Sequence, residues 1–120
     1  MWRAFLFRYV ILICRCREQT IQVNTLSTSL LGILLLQWMK QKTSGRTRTP
    51  HLVFVTSRDH LDPDIADWAG HLDEGGILQH FSDKRNWPSG KHDPNYAESK
   101  LMLTYAVEQI SKRAAAADGS

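Results

Sequence analysis

At 120 residues the chain has room for one small domain with a modest core. Its 42% apolar and 22% charged residues are ordinary for a globular protein. A net charge of +3, from 15 basic and 12 acidic residues scattered along the chain, is too mild to make a nucleic-acid surface.

The chain opens on MWRAFLFRYVILICRC, apolar but interrupted by Arg3, Arg8 and Arg15. The run Tyr9 to Cys14 is far too short to span a bilayer, and no A-x-A-like cleavage site follows, so a membrane or export role is disfavoured. Residues 5–14 read instead as a short buried strand. Cys14 and Cys16 form a lone C-x-C pair with none of the further ligands a zinc site needs, and are read as free thiols in a reducing compartment.

From Glu18 to Lys42 the spacing of Leu26, Leu30, Ile33, Leu34 and Met39 predicts a long helix. Its second half, Leu30 to Trp38, is apolar nearly all round, the mark of a helix covered on more than one side. The polar run Thr43 to Thr49, with Gly45, ends it. Lys40 to Arg48 holds the longest basic stretch, broken by Gln, Thr, Ser and Gly, and reads as a solvated helix end.

After Pro50, the run HLVFVT over 51–56 is a continuous series of strand formers, as in a parallel sheet covered on both faces. A polar segment, 58–93, follows, with short helices expected around Asp64–Leu72 and Gly76–Phe81. Asp93 is then a good N-cap and Pro94 a good first residue for a final helix. Leu101, Met102, Tyr105, Val107 and Ile110 supply its apolar surface, and Lys112 and Arg113 suit its negative C-terminal end. Residues 114–120 are expected to fray. Helix, strand, irregular segment and helix make half of an α/β doubly wound sheet.

Tyr96 and Lys100 stand four residues apart on that last helix, which stacks a phenol and an ammonium on one face. A nearby cation favours the phenolate, which would make the tyrosine a general acid/base near neutral pH. Alone, a Tyr-x-x-x-Lys pair is a weak signal. Context strengthens it: Ser57 brings a hydroxyl to the carboxyl end of the expected strand, and Asn24 sits just inside the first helix. Each residue also has a plain alternative. The lesser readings are Ser57 as a strand-end cap, Asn24 as a solvent-facing helix residue, and Tyr96 and Lys100 as ordinary first-turn residues.

The order Asn, Ser, Tyr-x-x-x-Lys is similar to the catalytic tetrad of short-chain dehydrogenases/reductases. IQVNTLSTSLLGILLLQWMK, TPHLVFVTS and PNYAESKLMLTYAV look most like fungal members of that family. The resemblance implies a fold class of α/β, a partial Rossmann-like doubly wound parallel sheet corresponding to roughly the second half of the family fold. It divides the chain into an atypical apolar segment (1–17), a catalytic segment (18–113, with 58–93 as a lid or insertion loop) and a tail (114–120). It implies that Tyr96 moves the proton at the substrate oxygen and that Lys100 tunes Tyr96 and holds the nicotinamide ribose. Ser57 would polarise the carbonyl or hydroxyl, and Asn24 would hold a water.

The cofactor implied is NADP or NAD, with Tyr96, Lys100 and Asn24 contacting it. The substrate implied is a small carbonyl or secondary alcohol, in a cytoplasmic setting and, by analogy with fungal members, in secondary metabolism. Helices over 20–42 and 94–113 would pair with a partner copy or a related subunit. The sequence departs from the family in having no T-G-x-x-x-G-x-G turn, no N-A-G after a fourth strand and a long connection between Ser57 and Tyr96. It therefore reads as truncated, which leaves a catalytically inactive remnant or dimerisation partner as the alternative. A metal site from His60, Asp62 and Asp64 is outweighed by the reading of a solvated acidic loop.

Overall fold

The computed structural model describes residues 19–42, 45, 47–66, 68–87 and 95–117. The predicted first strand (5–14), the paired cysteines, and the expected caps Asp93 and Pro94 lie outside the described residues.

The first long helix is not uniform. It begins as α1 (Gln19–Ile21), widens into a π-helical turn (Gln22–Ser27) and continues as α2 (Thr28–Lys42). A π turn lengthens the hydrogen-bonded ring by one residue and is rarely stable without help. Here side chains supply it: Thr28 Oγ1 donates to Val23 O at 2.9 Å, and Gln22 Nε2 reaches Ser27 Oγ at 3.5 Å. The last helix, α4 (Tyr96–Ala117), is the element around which the others gather. Asn95 stands at its N-cap position, its carbonyl accepting the Ser99 N–H at 2.8 Å. Its alanine-rich end, made of the best helix formers, carries the helix on to Ala117.

Between the long helices the chain makes short pieces. Single 3₁₀ segments cover Arg58–Leu61, Trp68–Glu74 and Lys84–Asn86, with α3 (Ile77–Ser82) among them. Gly75 and Gly76 reverse the chain before α3 at φ of 93° and 94°, a left-handed region that only glycine enters freely.

Two apolar groups line α4. Along α1, the π turn and α2, the side chains of Ile21, Leu26 and Ile33 are buried, as are Leu103 and Ile110 of α4. Trp68 is buried with Leu101 and Met102, and Ile77, Leu78 and Phe81 pack on that cluster. Trp68 meets Phe81 edge-on at 5.5 Å and Tyr105 at 6.5 Å, the geometry aromatic quadrupoles prefer.

The expected Rossmann-like parallel sheet is not what forms. Among the described residues there are only helices, turns and irregular chain, with no strand. Residues 51–57 carry no regular structure. Leu52 and Phe54 are half-buried, whereas Val53 and Val55 are 81% and 77% exposed. The reason is physical. β-branched residues favour an extended chain, but a strand exists only by pairing its N–H and C=O groups with a neighbour, and no described segment pairs its backbone with this one. One face of the segment meets the helices and the other meets solvent. The far edge of the Phe54 ring meets Gly32 of α2, where an added Cβ would fall 2.5 Å from its Cε1 atom.

The two-sided cover expected for Leu30–Trp38 is likewise not seen. Ser29, Gly32 and Ile33 of α2 are buried, while Leu31, Leu34 and Trp38 on the other side are about half exposed. No helix among the described residues is long and apolar enough to cross a membrane.

Candidate functional site

Three segments converge on the first half of α4: the π turn with Asn24, the chain at Thr56 and Ser57, and α4's own first two turns with Tyr96 and Lys100. Tyr96 and Lys100 fall on one face because they are four residues apart in a continuous helix. Lys100 Nζ stands 5.8 Å from the centroid of the Tyr96 ring, within cation–π range. That ammonium makes no hydrogen bond or ion pair among the described residues, and both side chains are half-buried.

Asn24 reaches α4 through Ser99. Its Nδ2 donates to Ser99 Oγ at 3.1 Å, and the neighbouring Thr25 Oγ1 donates to Ser99 O at 2.8 Å. Ser99 is fully buried, and its single hydroxyl hydrogen goes to Tyr96 O at 2.7 Å. The oxygen is thereby left to accept from Asn24. Asn24 Oδ1 accepts no hydrogen bond among the described residues.

Ser57 arrives by a similar route. Thr104 Oγ1 gives its hydrogen to Lys100 O at 2.9 Å, so at the 3.2 Å contact with Thr56 Oγ1 it is Thr56 that donates. This ties the residue before Ser57 to α4 one turn beyond Lys100. Ser57 is extended, and its Oγ accepts from Asp59 N at 3.2 Å, capping the 58–61 turn. Its own hydrogen finds no acceptor among the described residues. The structure therefore gathers the elements that carry all four predicted residues. It links Asn24 to the Tyr96–Lys100 helix by a hydrogen bond, and no hydrogen bond among the described residues joins Ser57 to Tyr96.

The residues of the supposed acidic loop turn inward on their own backbone. His60 Nδ1 bonds Ser57 O, and Asp64 Oδ1 accepts from Ala66 N at 2.9 Å. Among the described residues no three His, Cys, Asp or Glu side chains come together as metal ligands. Nearby, Asp83 and Arg85 pair at 2.6 Å. The hydrogen bond from the Arg85 side chain is the main reason the Asp83 carboxyl is lowered to about 2, and Asp83 in turn raises Arg85.

Sequence reading alone passed over Thr25 and Ser99. The available signal was slight: a hydroxyl beside Asn24, and another between Tyr96 and Lys100, at positions where helix-forming pattern shows no preference.

Two curated proteins align with most of this chain. Over 103 residues it is 34% identical to the short chain dehydrogenase atnD of Emericella nidulans, covering 84% of this chain and 31% of that protein. Over 96 residues it is 30% identical to the short-chain dehydrogenase/reductase phmF of Phaeosphaeria nodorum, covering 80% and 27%. The chain resembles short-chain dehydrogenases. It spans less than a third of the length of either relative. No family model matches the chain, and no solved structure matches it.

Proposed function

We propose that residues 18–113 are the catalytic segment of an NAD(P)-dependent short-chain dehydrogenase acting on a carbonyl or secondary alcohol of a small molecule. One observation carries the reading: Tyr96 and Lys100 lie face to face on α4, with the Asn24 and Ser57 segments drawn to the same end of that helix. The open atoms are of the kinds this chemistry uses. Among the described residues Lys100 Nζ and Asn24 Oδ1 make no hydrogen bond, a donor and an acceptor suited to ribose hydroxyls and an ordered water. The nicotinamide would supply the hydride. Tyr96 would give or take the proton at the substrate oxygen, Ser57 would donate its free hydroxyl hydrogen to that oxygen, and Lys100 would hold the ribose. A role in fungal secondary metabolism rests on the resemblance alone.

The test is titration of the purified chain with NADPH and with NADH, followed by cofactor fluorescence and thermal shift. A saturable response, weakened about tenfold or more by Lys100→Met, is expected from the loss of a charge-assisted hydrogen bond. Silence at millimolar cofactor from a folded chain overturns the reading.

A second reading is favoured by the exposed side of α2. Leu31, Leu34, Leu35 and Trp38 form an apolar face on one helix. Under this reading the chain pairs, through helices over 20–42 and 94–113, with a second copy or a related subunit. Sedimentation of the wild type beside Leu34→Glu and Trp38→Glu decides it: both substitutions should yield monomer, and an unchanged sedimentation coefficient refutes pairing.

A further inference from the structure

We infer that Ser99 is a positioning residue for Asn24: from α4 it holds the Asn24 amide in one orientation, leaving Oδ1 as the open atom beside the Tyr96–Lys100 pair. The inference rests on the proposed dehydrogenase reading for its purpose, but its geometry stands apart from it.

Asn24 and Thr25 are consecutive. In a regular α-helix their side chains would point about 100° apart. Both reach the same residue, Asn24 to the Ser99 hydroxyl and Thr25 to the Ser99 carbonyl. The wider π turn over Gln22–Ser27 narrows the angle between neighbouring side chains and so favours this double contact. Ser99 thus holds the turn from outside while Thr28 and Gln22 stitch it from within.

A side-chain amide has two ends, and the environment decides which is offered. Ser99 Oγ has already given its hydrogen to Tyr96 O and is an acceptor only. It therefore selects the NH₂ end of Asn24 and leaves the carbonyl end free. Ser99 is fully buried and Thr25 is 5% exposed, so water does not compete readily for either bond. Lys100 is the next residue along α4, so one short stretch of helix presents an ammonium and fixes an open acceptor.

The experiment is amide NMR on the full chain, reading proton exchange and chemical shift of the Asn24 side-chain NH₂. In the wild type these protons should exchange more slowly than those of Gln109, whose side chain is exposed and unbonded. Ser99→Ala removes the hydroxyl but keeps the carbonyl that Thr25 uses. It should speed Asn24 exchange about fivefold, the loss of one hydrogen bond, with helicity unchanged. Thr25→Val should move it by less than about twofold. The inference is overturned if wild-type Asn24 exchanges as fast as Gln109, if Ser99→Ala leaves it unmoved, or if Thr25→Val moves it as far. Should Ser99→Ala not fold, the wild-type comparison alone decides. A chain that binds no nicotinamide nucleotide yet shows the protected Asn24 amide sinks the dehydrogenase reading and keeps the clasp.

Discussion

The contact between Gly32 and Phe54 allows a prediction whose sign reverses with context. Gly32 lies inside α2, where alanine is ordinarily better by about 1 kcal/mol because it restricts the unfolded chain. The added methyl would, however, fall 2.5 Å from Phe54 Cε1 and closer still to Cζ. Overpacking of that kind costs about 1–3 kcal/mol unless the ring moves away. Gly32→Ala alone is therefore expected to be destabilising by up to about 2 kcal/mol, the clash outweighing the gain in propensity. In a Phe54→Ala background the clash is gone, and the same substitution should stabilise by about 0.5–1 kcal/mol. Urea unfolding of the four variants, followed by far-ultraviolet circular dichroism, gives the coupling directly. The reasoning fails if Gly32→Ala stabilises the otherwise unaltered chain, or if the two substitutions are additive within about 0.5 kcal/mol. Either result would mean that the 51–57 segment does not rest on α2 in solution.

Other outcomes follow from burial and charge. Leu103→Ala, at a position 1% exposed, should cost about 2–5 kcal/mol in the same denaturation assay, while Val53→Thr, at 81% exposure, should stay within about 0.5 kcal/mol. A strand buried on both faces would instead make the Val53 change costly. Asp83 should titrate near 2 by NMR and rise toward its ordinary 3.8 in Arg85→Gln. Because the folded chain holds that carboxyl below its unfolded value, its contribution to stability is present above pH 3.8 and lost as the pH falls through about 2. The Arg85 side chain is 89% exposed, so raised salt should weaken the shift, and a shift insensitive to both salt and Arg85→Gln would assign it to another cause.

How far the sequence was legible depended on whether the cause was local. The Tyr96–Lys100 face and the apolar side of α4 follow from helical period alone, so Leu101, Met102 and Ile110 were read as apolar surface and are buried. The long first helix was legible for the same reason, but its π turn was not. Two of its side chains bond Ser99, some seventy positions away, and a pattern within one helix carries no trace of such a partner. Residues 51–56 misled in the opposite direction. An unbroken run of strand formers reports a preference for extended chain, whereas two-sided burial depends on neighbours, and Val53 and Val55 have none among the described residues. Trp68 lies in the segment read as a lid or insertion loop; in space it meets Leu101 and Met102.

The two halves of α4 are held by different forces, and this bears on what substitutions there will do. Around Asn95 and Ser99 the buried groups are polar. Asn95 Nδ2 donates to Phe81 O at 2.8 Å, and Ser99 engages Asn24, Thr25 and Tyr96. From Leu101 to Ile110 the buried groups are apolar. Hydrogen bonds weaken steeply with misalignment, whereas apolar burial is nearly indifferent to direction. The end that bears Tyr96 and Lys100 is thus fixed in angle as well as in place, and the far end is held mainly against withdrawal. Changes at Leu103 or Ile110 should lower stability while leaving the Tyr96–Lys100 geometry intact in whatever fraction stays folded. Changes at Ser99 or Asn95 should alter that geometry as well as lower stability, since they remove buried hydrogen bonds. A site that needs a phenol, an ammonium and an amide oxygen in fixed relation is better served by the first kind of support than by the second.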